Sequence, residues 1–162
     1  MDFDSLILGV VFILICASPF ILIYLNGKKA EKRTLQLLYS FASQNNFKLS
    51  QSESCGDFAI GLDETLRQLL FVKKNSDDNV SVCIDLNQME ACIPNTTKIP
   101  SKNTSSTITY VGLGFVPQEK KGKETTLSLY DERINTQLNG ELQLAEKWSK
   151  NINGLLKNKN SQ

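Results

Sequence analysis

The sequence predicts an α+β protein. An N-terminal transmembrane helix and a juxtamembrane helix precede an antiparallel β barrel or strongly bent sheet of about seven strands, and a C-terminal amphipathic helix follows. Three observations support this fold class: an apolar run at residues 5–25, short alternating apolar runs between residues 47 and 132, and helically spaced apolar side chains at residues 140–157. An open antiparallel sheet with helices on one face is the alternative.

The apolar run at residues 5–25 contains no charged side chain. As a helix it would span about 30 Å, which is the thickness of the hydrocarbon core of a bilayer. Residues 1–4 lack the basic n-region of a signal peptide, and the run is longer than a typical h-region. We therefore expect a retained transmembrane helix.

The charges that flank the apolar run predict its orientation. Acidic Asp2 and Asp4 precede it, and basic residues near a membrane remain on the cytoplasmic side. Residues 1–4 should therefore lie outside, and residues 26–162 should be cytoplasmic in a single-pass membrane protein. The basic residues that follow the run are also candidates for contact with lipid headgroups; they are Lys28, Lys29, Lys32 and Arg33.

Composition excludes several classes of activity. The chain has 18 basic and 17 acidic residues and no histidine. Without histidine it cannot form a Ser-His-Asp or Cys-His nucleophile system, and it lacks the commonest metal ligand. All the basic residues follow the apolar run, so they slightly outnumber the acidic residues in that part of the chain. This small excess of positive charge does not amount to the strongly basic face that binds nucleic acid. We expect no cofactor, no metal site and no catalytic residue.

The cysteines predict free thiols. Cys16 lies in the apolar run, and Cys55, Cys83 and Cys92 show no CxxC spacing. In a reducing cytoplasm these thiols stay reduced, and Cys83 in the run VSVCIDL has the pattern of a core residue. If the orientation were reversed, Cys83–Cys92 would be the first disulfide to test.

The remaining chain divides into a juxtamembrane helix at 26–46, a β-rich domain with a closing helix at 47–157, and a disordered tail at 158–162. The first strand is predicted at 47–49, a weak strand at 89–93 is expected to stop at Pro94, and residues 94–106 are expected to form a loop. Gly112 and Gly114 leave one face of a later strand bare. A charged hairpin tip at 118–124 offers a possible partner contact through Lys120, Lys121 and Lys123.

The order of these elements resembles a pleckstrin-homology-like barrel over residues 47–157. The residues that carry the resemblance are the hairpin AIGLDETLRQLLFV, the strand VSVCIDL, the pair TITYVGLGFV and TTLSLY, and the helical segment LAEKWSKNINGLL. The resemblance is one of element order. It implies two antiparallel sheets bent over each other and a C-terminal helix that closes one end. On that helix, Trp148 is expected to be a core anchor rather than a ligand platform.

Domains of that family bind phosphoinositides, peptides or partner proteins, and are seldom enzymes. Lipid-binding members carry Lys and Arg in the loop between the first two strands. The corresponding residues 51–56, QSESCG, contain no basic side chain, which argues against phosphoinositide binding. The resemblance therefore implies contact with proteins, and the predicted anchor suggests other membrane proteins as partners.

Three functions follow from these expectations. The first is a membrane-anchored protein-interaction or scaffold module. The second is an accessory subunit that contacts a membrane complex through its transmembrane helix. The third is a membrane-surface enzyme, which would need a concave pocket containing at least two of a set of carboxylates: Asp63, Glu64, Asp85, Glu90, Asp131 and Glu132. Asp63 and Glu64 fit a hairpin turn better than an acid pair.

Overall fold

The computed structural model describes residues 3–75, 79–100, 106–119, 122–135 and 137–159, and it describes side chains in all of these except 3–11, 20–26 and 159. Within them lie two α-helices, seven β-strands and a 3-10 helix. Their bounds, in chain order, are α1 Phe3–Gln44, β1 Gln51–Cys55, β2 Phe58–Asp63, β3 Gln68–Lys74, β4 Asn79–Asp85, the 3-10 helix Leu86–Gln88, β5 Met89–Pro100, β6 Ser106–Pro117, β7 Thr125–Asp131 and α2 Glu141–Lys159.

The strands form two antiparallel sheets in which spatial order follows chain order. The first sheet is β1-β2-β3-β4 and the second is β5-β6-β7. The predicted closed barrel is therefore wrong, and a single open sheet does not describe the fold either. The change of sheet occurs at the 3-10 helix, where the Asp85 carboxylate accepts a hydrogen bond from Asn87 N at 2.9 Å. This turn redirects the chain, so β5 starts a new sheet.

The two central strands of the first sheet, β2 and β3, are buried on both faces, which explains their continuous apolar runs. One face joins the main core with the second sheet and α2, through side chains such as Phe58, Ile60 and Phe71. The other face carries Ala59, Leu70 and Val72 and packs against the C-terminal part of α1 through Leu38 and Ala42. The layers are thus α1, the first sheet, and then the second sheet with α2.

The helix α1 differs from the predicted arrangement of two helices. It continues without a break through Asn26 and Gly27 to Gln44. Across the described part of the chain, we find no helical segment that combines the length and the apolar character needed to cross a membrane. The prediction of a transmembrane helix at 5–25 is therefore contradicted, and with it the single-pass membrane location that placed residues 26–162 in the cytoplasm. That prediction treated the apolar run as a separate helix, whereas the same helix runs on into a charged segment that packs on the sheet.

Two strand boundaries were also predicted wrongly. The first strand is Gln51–Cys55 rather than residues 47–49, so QSESC is a strand and not a loop. The strand β5 continues through Pro94 to Pro100, opposite Leu113 and Ser106 of β6. Proline is tolerated there because β5 is an edge strand and the missing N–H need not serve a ladder.

Some predicted features fall partly or wholly outside the described residues. These are parts of the N-terminal segment 1–4, the loop at 94–106 and the hairpin tip at 118–124, together with the tail beyond residue 159. Within the described part of the predicted disordered tail, α2 continues to Lys159.

Neighbouring atoms of the second sheet occupy the space beside Gly112 and Gly114 of β6. A Cβ at Gly112 would lie 2.7 Å from the Tyr110 hydroxyl and 2.9 Å from the Leu127 carbonyl oxygen. At Gly114 it would lie 2.7 Å from Asn95 Nδ2. The Leu127 oxygen belongs to the backbone, so glycine is required at position 112 by close packing within the second sheet. At Gly114 the close atom is the end of the exposed Asn95 side chain, which can rotate away.

The helix α2 is hydrogen-bonded to β5 through the side-chain amide of Asn153. This amide binds both the N–H and the C=O of one β5 residue, as a neighbouring strand would. The Asn153 Oδ1 atom accepts from Cys92 N at 2.9 Å, and Asn153 Nδ2 donates to Cys92 O at 2.7 Å. The Ser149 hydroxyl donates to the same carbonyl at 2.8 Å. Both backbone polar groups of Cys92 are therefore satisfied from the helix.

Replacing Asn153 by alanine is expected to lower the free energy of unfolding by about 1–3 kcal/mol, because the buried Cys92 N–H loses its partner. Urea denaturation measures the change. Asn158→Ala, at an exposed asparagine of the same helix, is the matched control and should change stability by less than about 0.5 kcal/mol. Equal effects of the two variants would contradict this role.

Candidate interaction surface

The two sheets have four outer edges, formed by β1, β4, β5 and β7. An outer edge exposes unpaired N–H and C=O groups and can accept another strand, so proteins usually block it. The side chains around each edge therefore indicate where the fold could accept a partner.

The edge strand β1 lies between the two helices. The Glu53 carboxylate accepts from Lys147 Nζ at 2.8 Å and from Trp148 Nε1 at 3.1 Å, both on α2. On the α1 side, the Ser52 hydroxyl is 2.8 Å from the Tyr39 hydroxyl. Side chains of both helices thus flank β1 and hinder the approach of another strand.

The edge strand β7 is blocked by a lysine from the other sheet. Lys73 Nζ donates to the carbonyl oxygens of Ser128 at 3.1 Å and Leu129 at 3.4 Å, and it lies 3.7 Å from the Asp57 carboxylate. The register with β6 shifts at this point. A bulge twists an edge away from straight pairing and adds to its protection.

The edge strand β5 is protected by composition and by α2. Pro94 and Pro100 have no N–H to donate, and Lys98 adds a charge. The backbone of Cys92 is already bonded to Asn153 and Ser149. The two prolines and the bonded Cys92 thus interrupt this edge at three points along its length.

The edge strand β4 has none of these devices among the described residues. Its sequence NVSVCID contains no proline and no basic residue, and its single charge is the terminal Asp85. Within the described contacts, no side chain hydrogen-bonds to the backbone of residues 79–84, and β3 is the strand that pairs with β4. Asn79, Val80, Ser81 and Cys83 are exposed. We call residues 79–85 the β4 edge.

The two faces of the β4 edge differ in polarity. Ile84 is buried in the main core and Val82 packs against it. Because side chains alternate along a strand, Val80 points to the same face, where it is 46% exposed. Ser81 and Cys83 lie on the opposite face, where α1 covers the neighbouring strands Phe58–Asp63 and Gln68–Lys74. One face therefore offers an uncovered valine and the other offers small polar groups.

The predicted basic contacts are not gathered into one site. Lys28, Lys29, Lys32 and Arg33 are exposed on α1, but their predicted headgroup contact depended on the contradicted transmembrane helix. Lys120 and Lys121 lie outside the described residues. Lys123 is exposed and lines a cavity of about 270 Å³ together with Asn87 and Met89.

The candidate carboxylates have separate structural roles. Asp63 is buried and accepts hydrogen bonds from Lys48 N at 2.7 Å and Leu66 N at 3.0 Å, so it closes the turn between β2 and β3. Exposed Glu64 accepts from the Gln51 amide at 3.0 Å. Asp85 caps the 3-10 helix, and Glu90 is exposed.

Asp131 and Glu132 of this set line a common cleft with a volume of about 280 Å³. Both carboxylate oxygens of Asp131 are bound by Arg133, at 2.9 Å from Nε and 2.6 Å from Nη2. The hydrogen bonds from the Arg133 side chain and backbone lower the pKa of Asp131 to about 2. Asp131 is therefore ionised and already paired at neutral pH, which does not suit a proton donor.

The four cysteines are free thiols in two environments. Cys55 and Cys92 are buried, whereas Cys16 and Cys83 are exposed. The expectation of a core position for Cys83 is wrong, because its thiol is exposed on the α1 side of the first sheet, where it donates to Gln68 Oε1 at 3.2 Å. Burial, reinforced by the charge of Glu141, raises the pKa of Cys55 to about 12. Burial, opposed by a hydrogen bond with Ser149, raises that of Cys92 to about 12.

Cys16 and Cys83 are expected to react with iodoacetamide in the native protein, whereas Cys55 and Cys92 should react only after unfolding. A pKa near 12 lowers the thiolate fraction roughly a thousandfold relative to an ordinary cysteine. Peptide mass spectrometry after timed labelling measures the order, and labelling of all four thiols in denaturant is the control. Native labelling of Cys92 as fast as Cys83 would contradict the described packing.

Comparison with known proteins found no match among family models, curated proteins or solved structures.

Proposed function

We propose that this protein is a protein-interaction module that binds an extended segment of a partner protein along the β4 edge. The bound segment would add a fifth strand to the first sheet. The observation that carries the proposal is the difference between β4 and the other three edges. Each of those is flanked by helices, blocked by Lys73, or interrupted by prolines, whereas the described surroundings of β4 contain no such device.

The polarity of the β4 edge defines the chemistry of the segment. Main-chain hydrogen bonds supply affinity in strand addition, and alternate side chains supply specificity. Residues of the segment that face the core side would lie beside Val80 and Val82 and should be apolar. Residues of the opposite face would lie beside Ser81 and Cys83 and should be small or polar.

The arrangement of carboxylates supports binding rather than catalysis as the function. Asp63 is occupied by backbone N–H groups, and Asp131 is paired with Arg133. We also propose that the domain resembles the pleckstrin-homology-like family. Members of that family bind peptides and proteins, which agrees with binding of a partner segment at the β4 edge.

Selection from a random peptide library on the full chain, followed by titration of the selected peptides, tests the proposal. We expect peptides with alternating apolar residues and binding in a one-to-one complex. Ser81→Lys places a charge on the β4 edge and should weaken binding by about tenfold or more, because edge lysines oppose strand addition. Ser81 is exposed, so the variant should fold.

Thr126→Lys is the matched control, since Thr126 is an exposed polar residue of the edge strand β7. It should leave the affinity within about twofold. Failure to select any alternating peptide would contradict the proposal. So would selected peptides that lose the same affinity in both variants or lose none with Ser81→Lys.

A further inference from the structure

The chain contains three Asn-Gly pairs, at residues 26–27, 139–140 and 153–154. In such a pair the glycine nitrogen can attack the asparagine side-chain carbon, because glycine has no Cβ to obstruct the approach. The three pairs differ in backbone structure, so their reactivities should differ too.

Two of the pairs lie inside helices. Asn26–Gly27 is within α1 and Asn153–Gly154 is within α2. In a helix interior each N–H donates to the carbonyl four residues earlier, which holds the nitrogen away from the neighbouring side chain. The Asn153 amide is also bound to Cys92 and Ser149. These two pairs are therefore protected for as long as the helices stay closed.

The third pair precedes the first residue of α2. Asn139 is exposed, and its side-chain amide has no hydrogen-bond partner among the described contacts. Its own backbone is held, because the N–H donates to the Glu141 carboxylate and the carbonyl accepts from the Cys55 thiol. Gly140 has a φ of +106° and lies where helix N–H groups lack an intrahelical partner. A free amide thus stands next to an unprotected glycine nitrogen.

We propose that Asn139 is a site of spontaneous deamidation in the folded protein. The Gly140 nitrogen forms a bond to Asn139 Cγ and loses its proton, and the bond from Cγ to the side-chain nitrogen breaks with release of ammonia. Solvent water then opens the five-membered imide at either carbonyl. The products are aspartate, or isoaspartate in which the main chain runs through the former side chain. No oxidant or reductant takes part.

The modification would change the surroundings of the α2 N-terminus. Asn139 lines the same clefts as Cys55, Asp57 and Glu141. A new carboxylate would add to this negative charge. The isoaspartate product would also displace the backbone groups that bond to Cys55 and Glu141, so native packing around Cys55 should loosen in the modified fraction.

Incubation of the full chain in mildly alkaline buffer, followed by peptide mass spectrometry, tests the proposal. We expect conversion at Asn139 to be about tenfold or more faster than at Asn26 or Asn153, because reaction at the helical pairs requires local opening. The peptide containing Asn139 should yield both aspartate and isoaspartate. In the isoaspartate fraction, Cys55 should be alkylated faster than in the unmodified protein.

The same incubation in denaturant is the control, and there the three pairs should react at similar rates. Asn139→Gln should abolish conversion at this position while leaving the other two pairs unchanged. The proposal would be overturned by equal native rates at Asn139 and Asn153, or by an unchanged Asn139 under conditions that convert all three pairs in the denatured chain.

Discussion

Replacing Trp148 by alanine is expected to lower the free energy of unfolding by about 3–5 kcal/mol, which is a large part of the stability of a small domain. Trp148 is the largest of the fully buried side chains and belongs to the core shared by α2 and both sheets. Its indole nitrogen also bonds to Glu53 of β1 at 3.1 Å. The variant therefore leaves a cavity and removes a link between α2 and the first sheet.

Urea denaturation followed by circular dichroism measures this loss. Lys150→Ala is the control, because Lys150 is an exposed residue of the same helix and should change stability by less than about 0.5 kcal/mol. A Trp148→Ala variant as stable as the Lys150→Ala variant would contradict the described position of α2.

Asp63→Ala is expected to be the second large effect, at about 3 kcal/mol, because the substitution removes the acceptor of two backbone N–H groups from the partly buried turn. Those groups tie the turn between β2 and β3 to the chain at Lys48. Thermal or urea unfolding measures the change. Glu64→Ala is the matched control, since Glu64 is the exposed neighbouring acid; a similar loss in both variants would contradict the role of Asp63.

The contribution of Asp63 should depend on pH. Burial raises the pKa of this carboxyl group, but hydrogen bonds from the backbone N–H groups of Leu66, Lys48 and Thr65 outweigh burial and hold the pKa below its ordinary value. A lowered pKa in the folded state stabilises the protein above the ordinary carboxyl pKa and ceases to do so as pH falls through the lowered value. The difference in stability between wild type and Asp63→Ala should therefore be constant near neutral pH and shrink in acid.

Local patterns in the sequence predicted several elements correctly. The alternation around Phe58, Ile60 and Leu62 marked β2, and the helical spacing around Trp148 marked α2 and its buried stripe. The preference for a turn at Asp63 and Glu64 is confirmed by the hydrogen bonds of Asp63. These features depend on residues that are close together in the chain, so the local sequence pattern predicts them.

The features that the sequence did not reveal depend on distant residues. The sequence predicted two helices that meet near Asn26 and Gly27, whereas a single helix runs through these residues and its C-terminal part packs on the first sheet. Asn153 satisfies the backbone of Cys92 across 61 positions of the chain, and Lys73 reaches the carbonyl of Ser128 across 55. The protection of one edge and the openness of another follow from such contacts, and no local motif encodes them.

Hydrogen exchange of the full chain, measured with and without a selected alternating peptide, tests the central proposal most directly. Binding along the β4 edge should slow exchange at backbone amides within residues 79–85 and leave the β5 and β7 edges unchanged. In Ser81→Lys this protection should be lost at the same peptide concentration. Protection that appears on α1 or on the second sheet, with unchanged exchange in β4, would contradict the assignment of β4 as the surface that binds the partner.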